Sequence, residues 1–404
     1  MTDVSQGSPY QTMVTLLLAV PKRPDSTQEL AQWRKDSGAL VVTIGDAGVN
    51  SVSALFGTVR DAVHVSDRHH HRWRERLRLS GRTIAPTLFP ILMSGGHSQG
   101  VSAQTMIYSA ATSLARVNDK SAIVVEAQPG AGFWNDPCSA DLLLVASSDH
   151  ADRVREQIRL VATPESTVVM APQRESIADA VREATREVGA TLEEVASRCK
   201  IGKIEPTENG QRFTIEIPAG RYTVEVPVPG AHQRTNLATA LLASSVLSRD
   251  AIDAKGIAAR LKYAELPLRL ESIKTSPRTL ADSASSRLAY RALEQTLREA
   301  AIVPSLIIAT LDAETNIDDL ATTLQALGAE VRLAFARVDR PIADALAQTL
   351  RDQGVALQLA GDPGSALDQA LAGAGSRDTI LVFGARRPTA DARAYLLGLE
   401  QDPV

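Results

Sequence analysis

A phosphate-loop pattern lies near the start of the chain, in the seven residues GDAGVNS that run from Gly45 to Ser51. In a working phosphate loop, glycines let backbone N–H groups surround the anion, a lysine reaches the outer phosphates, and a Ser or Thr hydroxyl holds magnesium. Gly45, Gly48 and Ser51 stand where such a loop needs them, whereas Val49 stands in the place of the lysine. Taken alone, the stretch also fits an ordinary turn between a strand and a helix, with two glycines for tight geometry.

Two further positions could bind a metal ion or move a proton, because they follow predicted buried strands. Glu126 ends the run SAIVVEA before a loop rich in glycine and proline, and Asp149 and His150 follow the run DLLLVA. The carboxyl ends of parallel strands meet at one edge of a sheet, where α/β proteins bind ligands. We therefore expect Glu126 and His150 at the same edge as the phosphate loop. A solvated strand-end carboxylate and a histidine with a local hydrogen bond are the alternatives.

Histidines occur in two other patterns. Three are consecutive, from His69 to His71, and consecutive side chains point in different directions, which favours a solvated basic loop over a metal site. The segment PGAHQRTN begins a long alanine-rich helix, and its His232 and Asn236 are four residues apart. They therefore share one face at the amino end of that helix, where they could bind a ligand or simply cap and pack the first turn.

An α/β scaffold must position these groups. The stretch from Ala39 to Gly57 predicts a strand, a loop and a helix, and the following segments to Val188 alternate strands with helices, which predicts a mostly parallel sheet. At about 200–228 the apolar period changes to two, which predicts an antiparallel β insertion. Beyond about Leu270, strands and helices alternate again without a GxGxxG pattern, so we expect a doubly wound domain that does not bind a dinucleotide. The predicted domains are 1–268 and 269–404, joined by a hinge near 265–269.

The composition excludes several classes of protein. The 404 residues carry a formal net charge of -4, which gives no broad attraction to nucleic acid or to anionic lipid. Two cysteines, Cys138 and Cys199, cannot form a disulfide framework and suit a reducing compartment. The early apolar run from Met13 to Val20 is too short to span a bilayer. We therefore expect a cytoplasmic protein with no nucleic-acid or membrane partner.

Taken in order, these features resemble the Mur ligase superfamily, in particular its folylpolyglutamate synthase and dihydrofolate synthase branch. That branch carries a GTNGKGS-type loop where this chain has GDAGVNS, and an SPHL...ERI...G..I segment that is similar to DRHH...ERLRLSGRTI. Its GxHQxxN signature is intact here as Gly230, His232, Gln233 and Asn236. Its PGRLE and DGAHN motifs correspond to PLRLE, with Arg269 and Glu271, and to DSASS, which begins at Asp282.

The resemblance implies a P-loop-type parallel sheet with a β insertion, followed by a Rossmann-like domain. It also implies a reaction in which ATP phosphorylates a carboxylate, such as that of a folate, and the amine of glutamate attacks the acyl phosphate, supported by magnesium ions and a carbamylated lysine. The residues it implies for the nucleotide are Gly45, Gly48, Ser51, His232, Asn236, Arg269 and Asp282, and those for magnesium are Ser51, Glu126 and His150.

The departures from the family pattern fall at the chemistry. Val49 replaces the loop lysine, Asn50 replaces the last loop glycine, and Ser285 and Ser286 stand where the family has His and Asn. The segment REQIRLVATPES also lacks an equivalent of the EKAGI stretch that holds the modified lysine. Phosphoryl transfer depends on positioning and charge neutralisation, so these losses predict a degenerate paralogue with weak or no ligase turnover that still binds magnesium-nucleotide.

Two alternatives stay open at this stage. In the first, the chain is an active ADP-forming amide ligase in which an arginine, for instance from the segment Arg68 to Arg78, substitutes for the lysine. In the second, it is a structural subunit that pairs with an active homologue as its protein partner.

Overall fold

The computed structural model describes residues 39–60, 62–66, 122–126, 140–208, 210–247, 253–264, 266–335 and 339–399. Several features of the sequence analysis lie outside the described residues: the histidine run, the apolar run from Met13 to Val20, the segment Arg68 to Arg78, Cys138, and the first residue of the predicted hinge, Glu265. Within the part that is described, no helix has the length and apolar character needed to cross a bilayer.

The first sheet has six parallel strands in the order β2-β3-β1-β4-β5-β6. They are β1 (Leu40–Ile44), β2 (Ala62–Ser66), β3 (Ala122–Glu126), β4 (Leu142–Val145), β5 (Thr167–Met170) and β6 (Thr191–Glu194). Every residue of the central strand β1 is buried, as a β-branched run covered on both faces requires. Because all strands run the same way, the carboxyl ends of β1, β3 and β4 lie at one edge of the sheet, as the sequence predicts.

Six helices accompany this sheet in the described part of the chain. They are α1 (Val49–Arg60), α2 (Ala151–Val161), α3 (Glu175–Val188), α4 (Val195–Arg198), α5 (Ala231–Leu247) and α6 (Ala254–Lys262). Helices α1 and α5 pack together in the main core, and both are buried on most of their circumference. This packing sets the first turns of α1 and α5, which carry the phosphate-loop and GxHQxxN residues, beside each other.

A three-stranded antiparallel sheet covers the same core. It consists of β7 (Lys200–Pro206), β8 (Gln211–Ile217) and β9 (Gly220–Val226), so the predicted β insertion is confirmed. Its strand β8 alternates buried and exposed side chains, with Phe213 and Ile215 in the core. Cys199, just before β7, packs against this core, and burial raises the pKa of its thiol to about 11, so the side chain behaves as a small apolar residue.

The second large sheet has the order β10-β11-β15-β12-β13-β14, with β10 antiparallel to β11 and the other pairs parallel. Its strands are β10 (Glu271–Thr275), β11 (Arg278–Asp282), β12 (Leu306–Leu311), β13 (Glu330–Phe335), β14 (Leu357–Gly361) and β15 (Thr379–Gly384). Strand β10 was not predicted from the sequence, because its residues at the edge of the sheet are partly or fully exposed and show no clear apolar period.

Helices cover both faces of this sheet, which confirms the doubly wound architecture. Helices α7 (Arg287–Glu299), α8 (Ile317–Leu327) and α9 (Arg340–Asp352) contribute to one apolar cluster. Helices α10 (Pro363–Gly373) and α11 (Arg386–Leu397) contribute to a second cluster on the other face. The carboxyl ends of β11 and β15 thereby deliver Asp282 and Arg386 to one edge.

The segment that leads into β10 has an unusual backbone. Leu268 and Leu270 have φ values of 58° and 48°, in the left-handed region that residues with side chains rarely adopt. Carboxylates hold both residues: Leu268 N donates to Glu271 Oε2 over 3.0 Å, and Leu270 N donates to Asp282 Oδ2 over 2.8 Å. The connection between the two sheets is therefore a turn fixed by specific hydrogen bonds, and the predicted domain boundaries remain a prediction.

Candidate functional site

A cleft of about 170 Å³ lies between the two large sheets. One wall consists of the loop after β1 and the first turns of α1 and α5, and the other consists of the residues around Arg269, the loop after β11, helix α7 and the start of α11. Six of the residues predicted to bind a ligand line it: Gly48, Ser51, His232, Asn236, Arg269 and Asp282. The tertiary structure thus brings together residues that are up to 234 positions apart in the sequence, from Gly48 to Asp282.

The other predicted site residues lie beside the cleft or away from it. Gly45 lies directly before Asp46, the first residue that lines the cleft. Its backbone is so close to Ser147 that a Cβ at Gly45 would lie 3.0 Å from the Ser147 carbonyl oxygen. His150 is an exposed residue at the start of α2, where its side chain forms no capping hydrogen bond, and it does not line the cleft. Glu126 ends β3 opposite Thr43 and Ser66, at the predicted edge, and its side chain lies outside the description.

Backbone groups of the phosphate loop are already bonded within the protein. Asp46 N and Ala47 N both donate to the carbonyl oxygen of Ser147, over 2.9 and 3.0 Å. Backbone N–H groups are the donors with which such loops hold phosphate. The loop therefore closes on the strand-end segment after β4 and keeps two of these donors from an anion.

A carboxylate also lies inside the loop. Asp46 accepts hydrogen bonds from Ser148 Oγ over 2.6 Å, from Asp149 N over 2.9 Å and from Arg153 Nη1 over 3.2 Å. Its negative charge opposes a phosphate at the same place. Asp46 was not among the residues predicted from the sequence, although an acidic residue directly after the first glycine of a phosphate loop is a recognisable signal.

The hydroxyl predicted to hold magnesium is bonded to an arginine. Ser51, which is 2% exposed, accepts a hydrogen bond from Arg269 Nε over 2.9 Å. Arg269 Nη1 donates to the carbonyl oxygen of Leu268 over 2.8 Å and also to Ser283 Oγ. The guanidinium is therefore held in place from several directions, directly beside the Ser51 hydroxyl.

The described arrangement does not fit a magnesium ion at Ser51. A magnesium ion bonded to Ser51 Oγ at about 2.1 Å would lie at most about 5 Å from Arg269 Nε. Repulsion between charges of +2 and +1 at that separation is roughly 7 kcal/mol at an effective dielectric constant of 20, before phosphate charge offsets it. Over the described ranges, no three His, Cys, Asp or Glu side chains form a group that could hold a metal ion.

A second arginine reaches the loop from the far end of the chain. Arg386 Nη2 donates to Asn50 Oδ1 over 3.0 Å, and Arg386 lies in the first turn of α11, directly beyond the carboxyl end of β15. The substitute for the loop lysine was expected in the segment Arg68 to Arg78, and Arg386 was not predicted from the sequence. The rule that ligands bind beyond the carboxyl ends of parallel strands could have found it.

His232 is held as a neutral imidazole at the boundary between the two sheets. Its Nδ1 lies 3.5 Å from Thr296 Oγ1 on α7. Burial, together with the charges of Arg269 and Arg234, lowers the pKa of His232 to about 4. A neutral ring in this position can accept or donate one hydrogen bond and contributes no charge to the cleft.

The pKa of Asp282 shifts in the opposite direction, upward. Burial raises the pKa of its carboxyl group to about 6, against the effects of Arg269 and of the backbone N–H groups of Leu270 and Ala284. Ala284 N donates to Asp282 Oδ1 over 2.8 Å. Ser285 and Ser286 follow in the cleft wall, and Ser286 Oγ caps α7 by accepting from Ala289 N over 3.4 Å. The residues that replace the family's His and Asn therefore include a helix cap.

The GxHQxxN helix packs directly on the phosphate loop. Gly48 has a φ of 79°, and a Cβ there would lie 3.1 Å from Asn236 Oδ1. Asn236 Nδ2 donates to Gln233 Oε1 over 3.2 Å, and both side chains are buried. These polar residues thus contribute to the packing of the loop as well as to the cleft wall.

Solved structures of known enzymes share this fold. The folylpolyglutamate synthase of Mycobacterium tuberculosis complexed with ADP is 15% identical, with 98% of this chain and 100% of that chain covered and a TM-score of 0.70. Escherichia coli FolC in complex with DHPP and ADP is 16% identical, with 97% and 98% covered and a TM-score of 0.67. The bifunctional folylpolyglutamate synthase/dihydrofolate synthase of Yersinia pestis CO92 is 17% identical, with 96% and 98% covered and a TM-score of 0.65.

Comparisons by sequence give no match: neither a protein-family model nor a curated protein is similar to the chain. At identities of 15 to 17%, the structural likeness shows the fold. The Mur-ligase-like α/β architecture predicted from the sequence is thereby confirmed.

Proposed function

We propose that this chain, which has the fold of the folylpolyglutamate and dihydrofolate synthases, is a degenerate paralogue of those ligases. It binds a nucleotide in the cleft between its two large sheets and has weak or no ligase turnover. The nucleotide part draws support from two of the similar structures, which are complexes with ADP. It draws further support from the six predicted ligand-binding residues that line the cleft.

One observation carries the loss of turnover: the hydrogen bond from Arg269 Nε to Ser51 Oγ, over 2.9 Å. It leaves the predicted magnesium ligand beside a fixed guanidinium, in a loop where Val49 stands at the lysine position and Asp46 and Ala47 donate to Ser147. Catalysis of phosphoryl transfer is mostly positioning and neutralisation of charge on the transferred group. A loop that contains a carboxylate and no lysine contributes little positioning and little charge neutralisation.

Nucleotide binding requires the cleft to widen. Its volume of about 170 Å³ is below the roughly 300 Å³ at which ligand pockets usually begin. The two walls are joined by the bonds from Arg269 to Ser51 and from Arg386 to Asn50, and by the contact of Thr296 with His232. Widening that leaves the contact between Arg269 and Ser51 in place is the change that would admit a nucleotide beside this guanidinium.

The test combines turnover with binding. ADP formation is measured with ATP, magnesium, glutamate and a pterin-type acid, and binding of ADP is measured by calorimetry on the same preparation. We expect ADP to bind and no steady ADP formation that depends on both substrates. Substrate-dependent turnover at about 1 per second or faster, which is ordinary for enzymes, contradicts the loss of catalysis. Absence of ADP binding at millimolar concentration contradicts the nucleotide site.

The active ligase remains the second candidate, because two arginines reach the loop. Arg386 contacts Asn50 and Arg269 contacts Ser51, so positive charge is present where the loop lysine is missing. If the chain turns over and Arg386→Gln abolishes turnover without changing the melting temperature, Arg386 replaces the lysine and the chain is an active ADP-forming ligase. Exposed Arg212, which pairs with Glu225 on the antiparallel sheet, provides the control variant Arg212→Gln.

A further inference from the structure

We infer that the cleft binds the phosphates of its nucleotide without a divalent metal ion, and that the Arg269 guanidinium takes the part of the cation beside Ser51. This inference rests on the proposed nucleotide site and specifies its chemistry. It follows from the disagreement between the residues present and a magnesium site, and it assigns roles to Arg269 and Arg386 that the loop sequence does not indicate.

Arg269 is a fixed cation in the cleft. Its guanidinium donates to Ser51 Oγ, to the Leu268 carbonyl oxygen and to Ser283 Oγ. Its charge also lies close enough to the Asp282 carboxylate to act on the titration of that group. A cation bonded on several sides has little orientational freedom left to lose when an anion arrives.

A second guanidinium, that of Arg386, reaches Asn50, the residue next to Ser51. Arg386 contacts Asn50, and Arg269 contacts Ser51, so two arginines meet the first turn of α1 from the opposite wall of the cleft. Guanidinium groups bind phosphate oxygens in a planar, often bidentate arrangement, which a metal ion is not needed to organise. The first turn of α1 contains no acidic residue, so its dipole and the two guanidinium groups act against the repulsion between an anion and the Asp46 carboxylate in the preceding loop.

Magnesium would need oxygen ligands, and the described candidates are already bonded or lie elsewhere. The Asp46 carboxylate, which lines the cleft, already accepts from Ser148, Asp149 and Arg153. The Ser51 hydroxyl is bonded to Arg269, and His150 lies away from the cleft. Among the described residues, a nucleotide phosphate that enters the cleft therefore meets guanidinium donors and no free set of metal ligands.

The experiment is a calorimetric titration with ADP in two buffers, one with excess magnesium and one with EDTA. For the natural chain we expect dissociation constants that agree within about threefold between the two buffers, since charge neutralisation comes from the protein. Arg269→Gln and Arg386→Gln should each weaken binding in EDTA by about tenfold or more. Arg269→Lys, which keeps the charge and loses the planar fork, should lie between them, and Arg212→Gln should match the natural chain.

Each possible result of these titrations tests a different part of the inference. Binding by the natural chain that tightens about tenfold or more with magnesium overturns metal-free recognition and leaves the proposed nucleotide site standing. Binding by Arg269→Gln that equals that of the natural chain in EDTA overturns the role of Arg269. Absence of ADP binding in both buffers overturns this inference and the proposed site together. Melting curves identify a variant that does not fold. If Arg269→Gln does not fold, the comparison of Arg386→Gln with the natural chain in EDTA tests the inference instead.

Discussion

Arg386 Nη2 and Asn50 Oδ1, two atoms whose residues are 336 positions apart, lie 3.0 Å from each other. This contact joins the last helix of the described chain to the first turn of the first helix. Together with the bond from Arg269 to Ser51 it closes the cleft on the side of the phosphate loop. The guanidinium groups that reach Asn50 and Ser51 therefore come from the other wall of the cleft.

The first prediction concerns the domain boundary. Limited proteolysis of Arg386→Gln should cut the chain near 265–269 faster than that of the natural chain, because the substitution removes one bond across the cleft. Gel analysis over time measures the effect, with Arg212→Gln as the control. Early cuts inside α7, with the 265–269 segment left intact, would show that the division into two domains is wrong.

The second prediction concerns the buried ion pair that anchors β10. Arg393, 4% exposed, donates to both carboxylate oxygens of Glu271 over 2.7 and 2.8 Å. Because Arg393→Ala leaves a largely buried carboxylate without its partner, the free energy of unfolding should fall by roughly 2 to 4 kcal/mol. Chemical denaturation measures the loss.

A matched control exists on the antiparallel sheet, where exposed Arg212 pairs with Glu225. Arg212→Ala should cost less than about 1 kcal/mol, as exposed pairs do. Equal losses for the two variants would mean that burial does not decide the strength of the Arg393 pair.

The third prediction concerns Val49. The side chain is 1% exposed and belongs to the main apolar core, so Val49→Lys places an ammonium group in an apolar environment. We expect a fall in the melting temperature and no gain in ligase turnover. Val49→Met, which stays apolar, should be tolerated much better. A lysine variant that is as stable as the methionine variant and tightens ADP binding would show that the loop keeps the geometry of a working phosphate loop.

The fourth prediction concerns pH and His232. Its pKa is about 4 in the folded protein and 6.5 without perturbation, so the unfolded chain binds this proton first as the pH falls. The contribution of His232 to stability is therefore complete above pH 6.5 and decreases below it, by up to about 1.4 kcal/mol per pH unit. The stability of the natural chain relative to His232→Gln should fall from pH 6.5 towards pH 4.

Asp282 should act in the opposite direction. Its pKa is about 6 when folded, against 3.8 unperturbed, so the folded state binds this proton first and gains stability as the pH falls between those values. The stability of the natural chain relative to Asp282→Asn should therefore rise over this range. Denaturation midpoints at closely spaced pH values measure both slopes, and slopes of the same sign for the two variants would contradict the assignments.

The fifth prediction concerns Gly230, where α5 approaches α7. A Cβ at this position would lie 2.5 Å from Thr296 Oγ1, and the φ of 105° already disfavours any side chain. Gly230→Ala should therefore destabilise the protein by more than Gly354→Ala. At Gly354 the φ is 75° and a Cβ would meet nothing within 4 Å, so only the backbone cost of about 1 kcal/mol applies. Equal losses would mean that the contact with Thr296 adjusts without cost.

Much of the scaffold could be predicted from the sequence because its signals are local. The β-branched run of β1, the glycines after it and the apolar period of α1 predict a strand, a turn and a helix within twenty residues. The period of two in β8 and β9 likewise predicts the antiparallel insertion. Edge strand β10 could not be found this way, because its exposed faces carry no apolar period.

The sequence by itself determined which residues stand near the cleft: a glycine loop, a GxHQxxN helix start, and the residues around Arg269 and Asp282. Only the tertiary structure decided what those residues bond to. Backbone donors of the loop belong to the Ser147 carbonyl oxygen, and the Ser51 hydroxyl accepts from an arginine 218 positions away. Apolar periodicity reports the environment of each segment, whereas a hydrogen-bond partner depends on how two domains pack, which no local pattern encodes.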